Sequence, residues 1–443
     1  MSRISARVAG VGLAAAALVA GMASQPTTAQ APPAGGATAL TNARVIDGTG
    51  RPALERATIV MRNGRIEAVG AVVAVPAGAT RVDMAGKTIM PGMVNAHGHA
   101  QKGLNPKIPI RDDLLRQLRM SAAYGVTTVM SLGATPDDEL EQIKLRDEQN
   151  GIVLDRARVY TSGQSVRRFK TPQESRADVN RVADLKPDIV KLHFDDPQAN
   201  MSAETWGAII EEAHKRGLRV APHIFYLRDA KAAVEKGADV LAHSIRDMDV
   251  DAATIAEMKR RDVGLIPTLT REVTVYVYET TPAFFTDPFF LRGMSLYKEH
   301  FDIVSAPAFQ ERVRNDKLAQ SIKQALVQAK RNLKILFDAG IPVGFGTDGG
   351  VPNNMTFGRF QGYLEHMELE LMVEAGLTPM QALTAATGTS ARIMRLESVG
   401  TIAPGKAADL LVLDANPLQD IRNTKQINSV WMAGRRLAAL GTN

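Results

Sequence analysis

With 443 residues, the chain exceeds one ordinary core of roughly 100 to 200 residues and suits one large α/β barrel with a small satellite domain. Hydrophobic residues at 45% and charged residues at 23% exclude a disordered chain and a polytopic membrane protein. Lys plus Arg at 53 against Asp plus Glu at 47 gives +6, no basic run is interleaved with aromatics, and Cys is absent. The charge pattern argues against nucleic acid and anionic membrane as partners. The lack of Cys excludes disulfides, thiol nucleophiles and Cys-held zinc, so nitrogen and oxygen must hold any metal.

At the amino end Arg3 and Arg7 precede an apolar run from Val8 to Met22, followed by small residues and a Pro-rich stretch to Pro33. This pattern predicts a secretory signal peptide over residues 1–29, cut after Ala23 or Ala29, because the run is shorter than the roughly 20 residues a membrane span needs. With no Cys for lipid attachment, the expectation is a periplasmic or secreted protein, free of the membrane once the signal is removed. Residues 38–90 then show short β-like runs (39–46, 57–62 and 65–69) separated by turn pairs such as Asp47-Gly48 and Asn63-Gly64. Residues 398–443 repeat that character, with strands at 409–413 and 429–432 and turns at Pro404-Gly405 and Ala433-Gly434. The two terminal segments are expected to build one small split β-sandwich.

Between them, residues 91–397 alternate apolar strand-length runs with amphipathic helical stretches, the pattern of a parallel sheet with crossover helices. The runs are 88–95, 126–132, 158–162, 188–194, 219–225, 239–245, 264–269 and 342–347. Eight such strands predict a (β/α)8 TIM barrel in the α/β class, with its active site at the carboxyl ends of the strands. One segment, 271–301, interrupts the pattern with an aromatic-rich insertion containing Tyr276, Tyr278, Phe289, Phe290 and Tyr297. Such an insertion either lids the pocket or buries itself against a neighbouring subunit, which would make a homo-oligomer.

Candidate ligands lie at the ends of these runs. His97 and His99 form an H-x-H after the first, and residues i and i+2 of a strand share a face, so both imidazoles can reach one metal. Lys191, in Asp188-Ile-Val-Lys-Leu-His-Phe, would bury an ammonium in an apolar barrel at a cost of several kcal/mol. Either an acid pairs with it, or its amine reacts with carbon dioxide to give a carbamate able to bridge two metals. His193 lies on the same face and can line the pocket. Strand five ends in His223, strand six in His243, and strand eight in Asp348 at a Gly turn. Any one of these alone reads as structural, but six nitrogen and oxygen ligands at the ends of five barrel strands do not arise by chance. His214, His300 and His366 take the structural reading, on a helix face, in the insertion and in the helix after strand eight.

The set His97-x-His99, Lys191, His223, His243 and Asp348 resembles that of the amidohydrolase superfamily. Met90-Pro-Gly-Met-Val-Asn-Ala-His97 is similar to that family's first barrel strand, and Val399-Gly-Thr-Ile-Ala-Pro-Gly-Lys-Ala-Ala-Asp409-Leu to its return into the sandwich. The resemblance runs from Ala39 to Arg435 and points to the prolidase-like group, related to imidazolonepropionase. Three positions depart from the pattern. Asn95 replaces the usual Asp before the first His, Gln164 stands where prolidase-like members often have a substrate-side His, and Tyr226 stands where deaminases place a proton-shuttling Glu.

The resemblance implies a binuclear metal-dependent hydrolase. His97, His99 and Asp348 would hold one divalent ion and His223 and His243 the other, with Lys191, carboxylated by carbon dioxide, and a hydroxide nucleophile bridging them. Asp348 would move the proton of that hydroxide to the leaving nitrogen. Zinc is the default ion, and manganese, cobalt or nickel also fit such ligands. The expected partner is a small molecule: an amide with an apolar or aromatic part, such as a dipeptide or N-acyl amino acid. Arg167, Arg168 and Arg271 are candidates for its carboxylate, and His193, Gln164 and Tyr226 are further candidate contacts. Hydrolysis of a lactone, cyclic imide, carbamate or phosphotriester on the same site is the competing reading; a noncatalytic metal-dependent binding protein is the remote one.

Overall fold

The computed structural model describes residues 36–167, 171–193, 202–350 and 358–438. The expected signal peptide, Arg168 and the last residue of the fourth predicted strand, Phe194, lie outside them. The amino-terminal strands are β1 (Thr38–Val45), β2 (Leu54–Arg62), β3 (Arg65–Gly70), β4 (Thr80–Asp83) and β5 (Thr88–Pro91). Asn63 and Gly64 join β2 to β3 with φ of 49° and 75°. Two consecutive left-handed residues match the twist of a tight hairpin, which is why Asn-Gly marks one in a sequence. Leu40, Ile59, Met61, Ile66 and Ile89 pack together as the core of this sheet.

The predicted first barrel strand, 88–95, is in fact two strands. Its front half is β5, in the terminal sheet; its back half belongs to β6 (Met93–Gly98). The break falls at Gly92, where a Cβ would stand 2.1 Å from the Thr127 side chain. Only glycine permits this close passage, and a continuous apolar run conceals it.

From β6 onward the chain alternates parallel strands with helices: β7 (Val126–Ser131), β8 (Arg158–Thr161), β9 (Val190–Leu192), β10 (Val220–Pro222), β11 (Val240–Ala242) and β12 (Gly264–Ile266). Several of the intervening helices begin at side-chain caps, as at Thr171, whose hydroxyl and Glu174 form a reciprocal capping box, and at Ser202 and Asp251. The hydrogen-bonded sheets are short: β6-β7-β8, β9-β10 and β11-β12. Parallel bridges connect them in order, Val166 to Leu192, His223 to Ala242, Leu265 to Val343, and Gly98 to Gly349. The predicted eighth strand, 342–347, is irregular, but Gly344 donates to Leu265 and Ala96 donates to Phe345. The pairings therefore run through eight segments and return to the first.

The carboxyl end adds β13 (Leu410–Leu413), β14 (Ile427–Met432) and β15 (Arg435–Arg436). These join the first five in one eight-stranded sheet, with β13 pairing β5.

The aromatic side chains of the insertion pack largely within their own chain. Tyr278, Phe285, Phe289, Phe290 and Tyr297 are buried with Tyr124, Phe360 and Tyr363 in one aromatic cluster. Rings stack or meet edge to face, as Phe290 does with Tyr297 at 5.2 Å and with Phe360 at 5.0 Å. These rings are buried against their own chain.

Asp409, at the start of the return into the sheet, ties the two sheet systems together. Its carboxylate accepts from Arg158 Nε on β8 at 2.6 Å and from the Ala433 amide at 2.7 Å. Its carbonyl accepts from the Gly92 amide at 3.0 Å. Both side chains of the ion pair are less than a tenth exposed. Removing one partner strands the other's charge, so Asp409→Ala should lose about 3–5 kcal/mol in urea unfolding, and Asp409→Leu combined with Arg158→Met should recover part of that loss. A single-variant loss below about 1 kcal/mol would show that the pair is not what joins them.

Candidate metal centre

The carboxyl ends of the parallel segments bring the predicted ligands together. His97 ends β6, and its Nε2 lies 3.1 Å from Asp348 Oδ1; His99 Nε2 lies 2.7 Å from the same oxygen. Ligand atoms of His97, His99 and Asp348 all fall within 4.8 Å of one another. The imidazoles continue as a row: the His97 ring centroid is 4.5 Å from that of His243, His243 is 4.1 Å from His223, and His223 is 4.2 Å from His193. Lys191 is buried on β9, and its charge acts on both His97 and His243.

Backbone strain is concentrated here. Asp348 (φ 53°), His243 (φ 80°) and Thr268 (φ 50°) all adopt left-handed conformations that side chains other than Gly avoid. Close approach is secured by glycines: a Cβ on Gly346 would stand 2.7 Å from that of His97, and one on Gly350 would stand 2.2 Å from the His99 carbonyl oxygen.

The protonation states suit a cation. Burial, and then the Lys191 charge, lower the His97 pKa to about 3. Burial, then His223 and His97, hold His243 well below the usual imidazole range. Both rings are neutral, with a lone pair to offer. For Asp348 burial works upward, but the Arg359 guanidinium and hydrogen bonds from His97 and His99 prevail and hold it well below the carboxylate range. Among the described residues, neither Nδ1 of His97 nor Nδ1 of His99 has a hydrogen-bond partner although both are buried. Imidazoles around a carboxylate, with nitrogens to satisfy, fit a divalent metal.

Supporting contacts orient the ligands. Thr268 Oγ1 lies 2.6 Å from His243 Nδ1, which leaves Nε2 to face the site. Asn95, the residue that departs from the family pattern, accepts from the His97 amide at 3.0 Å and donates to Glu365 at 2.7 Å and Thr347 at 3.0 Å. It fixes the backbone beneath His97 rather than its ring.

The predicted substrate contacts fare unevenly. Arg271 lies in the site, its Nε 3.6 Å from Asp348 Oδ2. Gln164 is turned to Glu139, which takes both its amide NH and its side chain at 2.8 and 2.9 Å. Tyr226 is 40% exposed, tilted against Phe225 and under Arg228. Arg167 is exposed, and Arg168 lies outside the described residues. Of the histidines read as structural, His366 is buried between Thr424 and the Tyr124 carbonyl, His214 reaches Asp239 at 3.0 Å, and His300 is buried in the insertion.

Sequence reasoning missed Arg359, whose Nη1 is hydrogen-bonded to Asp348 Oδ2, and a group of buried charges around it. Glu272 lies between Arg271 Nη1 at 2.9 Å and Arg246 Nε at 3.5 Å. Arg359 stands in an irregular segment and gave no local signal. Glu365 and Glu368 did give one, as acids among the apolar residues of the helix Tyr363–Glu374, which also carries His366, Glu370 and Glu374.

The chain matches the model of the amidohydrolase family over residues 88–437. It is 35% identical over 106 residues to the imidazolonepropionase of Deinococcus deserti, 23% of this chain and only a quarter of that one. It is 26% identical to a 5-methylthioadenosine/S-adenosylhomocysteine deaminase of Nitratidesulfovibrio vulgaris, over 79% of this chain and 77% of the relative. A solved structure provisionally assigned as a prolidase from Bifidobacterium longum superposes with a TM-score of 0.73 at 26% identity, covering 92% of this chain and 96% of that one.

Glu368 caps the helix Leu269–Tyr276 that carries Arg271, accepting from the Leu269 and Thr270 amides at 2.8 and 2.7 Å. Burial outweighs these bonds and pushes its carboxyl up to about 7. The native state then binds more protons than the unfolded chain above the ordinary value of 4.5, so stability falls as pH rises from there through 7, by on the order of 3 kcal/mol. Unfolding free energies measured across that window should decline for the native chain and lose much of that slope in Glu368→Gln. An unaltered slope in the variant would assign the decline to another group.

Proposed function

The chain belongs to the amidohydrolase family and is a hydrolytic enzyme, and on that premise we propose that it cleaves the amide bond of a dipeptide or N-acyl amino acid with a metal centre at the carboxyl ends of a (β/α)8 barrel. In this reading the cycle of eight parallel segments is the barrel, 91–397, and residues 38–90 and 398–443 form its split β-sandwich. Residues 1–29 serve as the export signal to the periplasm or beyond. The observation that carries the proposal is the convergence of His97, His99 and Asp348, with the row of His243, His223 and His193 continuing from them.

His97, His99 and Asp348 would hold one divalent ion, zinc by default, and His223 and His243 a second. Lys191 would bridge them after carboxylation, in which the ammonium first gives up one proton, the freed Nζ lone pair bonds to the carbon of carbon dioxide, and the adduct gives up a second proton to leave the carbamate. That step turns a buried ammonium into an anion matched to its surroundings. When bound, the ions lower the pKa of water and polarise a substrate carbonyl. Asp348 takes the proton released at the site and delivers it to the departing nitrogen. Thr268 and Asn95 keep the His243 ring and the His97 backbone in place for this step.

Likeness to a provisional prolidase and to imidazolonepropionase supports a carbon–nitrogen bond as the target. Likeness to a deaminase does not carry its reaction over, because the position three residues after His223 is Tyr226, exposed and without a carboxylate.

Purified protein should contain close to two transition-metal ions per chain by emission spectroscopy. Lys191→Ala should lose metal and activity together, and acetate or propionate, standing in for the carbamate, should restore part of both. A single ion at full activity, with Lys191→Ala unimpaired, would overturn the binuclear reading. Amide cleavage itself is tested at Asp348. An amine needs a proton to leave and an activated aryl oxide does not, so Asp348→Asn with metal retained should lose about 10² to 10⁴ more rate on amides than on aryl esters of the same acyl group. Equal losses would move lactone or ester hydrolysis ahead.

A further inference from the structure

Asn95, Thr347 and Glu365 come from three places in the fold: strand β6, the segment just before Asp348, and the helix Tyr363–Glu374. Each is at most 1% exposed, so every polar atom among them needs a partner inside the protein. Asn95 uses both ends of its amide. Its oxygen accepts from the His97 amide at 3.0 Å, while its Nδ2 donates to Glu365 Oε1 at 2.7 Å and to Thr347 Oγ1 at 3.0 Å. The second carboxylate oxygen of Glu365, Oε2, accepts from the Gly362 amide at 2.6 Å.

These contacts bear on opposite sides of the ligand set. Asn95 holds the backbone of His97 from two residues before it. Thr347 Oγ1 accepts from the Gly349 amide at 3.0 Å, so the hydroxyl before Asp348 ties down the amide after it. Asp348 lies between the two with a φ of 53°, a left-handed conformation that residues other than Gly hold only when their surroundings are fixed. The two backbones also meet directly: the Asp348 amide donates to the His97 carbonyl at 2.7 Å and the His99 amide to the Gly349 carbonyl at 2.8 Å. Thr347 Oγ1 lies 3.5 Å from the same Glu365 oxygen that receives Asn95. Glu365 therefore joins the support of His97 to the support of Asp348, whose ring nitrogen and carboxylate oxygen stand 3.1 Å apart.

We propose that Glu365 is a positioning residue of the metal centre, that it sets the spacing of His97 and Asp348 through Asn95 and Thr347, and that it requires an amide rather than an acid at position 95. This rests on the metal-centre part of the reading above and is independent of the bond cleaved. The requirement follows from donors and acceptors. Asn95→Asp would set two carboxylate oxygens face to face where an N–H now meets Glu365; Glu365→Gln, with its oxygen kept on the Gly362 amide, would set two NH2 groups face to face. Asn95→Asp combined with Glu365→Gln puts a donor opposite an acceptor again. The new amide donates to the new carboxylate, and the His97 amide and the Thr347 hydroxyl can both donate to that carboxylate as well.

The test measures zinc affinity of the metal-free chain, by competition with a chromophoric chelator, and the visible spectrum of the cobalt-loaded chain, which reports ligand geometry. Asn95→Asp and Glu365→Gln should each weaken zinc binding about ten- to a hundredfold, the range typical when a partner that orients a metal ligand is lost, and should alter the cobalt bands. The double variant should recover most of that affinity and the native bands. A purely structural role would lower the urea midpoints of the single variants while the folded chains kept native affinity and bands, and that result overturns the proposal. A double variant that binds zinc no better than the single variants overturns it too. If a single variant does not fold, the double variant decides alone: near-native affinity upholds the proposal, and a loss of about tenfold or more overturns it. A native chain that takes up neither zinc nor cobalt overturns the metal centre and this assignment with it, whereas affinities that follow the pair in a chain inactive on amides uphold the assignment and reject only the amide reading.

Discussion

Asp348 has to reach the imidazoles of a strand that lies some 250 residues earlier in the chain, and most of the site depends on that closure. The parallel pairings must return from the irregular segment 342–347 to β6, and they do so through the hydrogen bonds of Ala96 to Phe345 and of Asp348 to His97. Gly346 and Gly350 let the two segments approach within distances that any side chain would prevent. The cost is visible as left-handed backbone at Asp348, His243 and Thr268, sustained by the packing around them.

Closure also explains the electrostatics. Once Asp348 stands in a buried site, its charge is tenable only with partners on both oxygens, and the structure supplies guanidiniums on one and imidazoles on the other. On the imidazole side the arrangement of His97, His99 and Asp348 suits a metal. The insertion belongs to the same scheme, since its aromatic core and tyrosine hydroxyls fix the segment that carries Arg359.

The terminal sheet contributes through Asp409. One carboxylate satisfies an arginine of the parallel array and an amide of the sheet, while the adjacent carbonyl receives the amide of Gly92, where the chain leaves one system for the other. The turn-rich return at residues 399–409 thus has a mechanical reason: it delivers an acid to the junction.

Much of the candidate site was legible in the sequence, because each candidate residue sits at the end of an apolar run and both features are local. His97, His99, His223, His243 and Asp348 required only the rule that polar residues collect where strands of a parallel array end. The amphipathic helices, the Asn63-Gly64 hairpin and the buried Lys191 were legible for the same reason. What the tertiary structure alone decided concerns approach and charge between distant segments. Gly92 divides one apolar run between two sheets because Thr127 lies against it, and the insertion's aromatics turn inward because Tyr124, Phe360 and Tyr363 are there to receive them. Gln164 is taken up by Glu139, and Arg359, in an irregular segment with no periodicity to mark it, gains its meaning from an oxygen of Asp348. Periodicity reports which face of an element is buried; which charges meet across the fold depends on distances that only the closed chain defines.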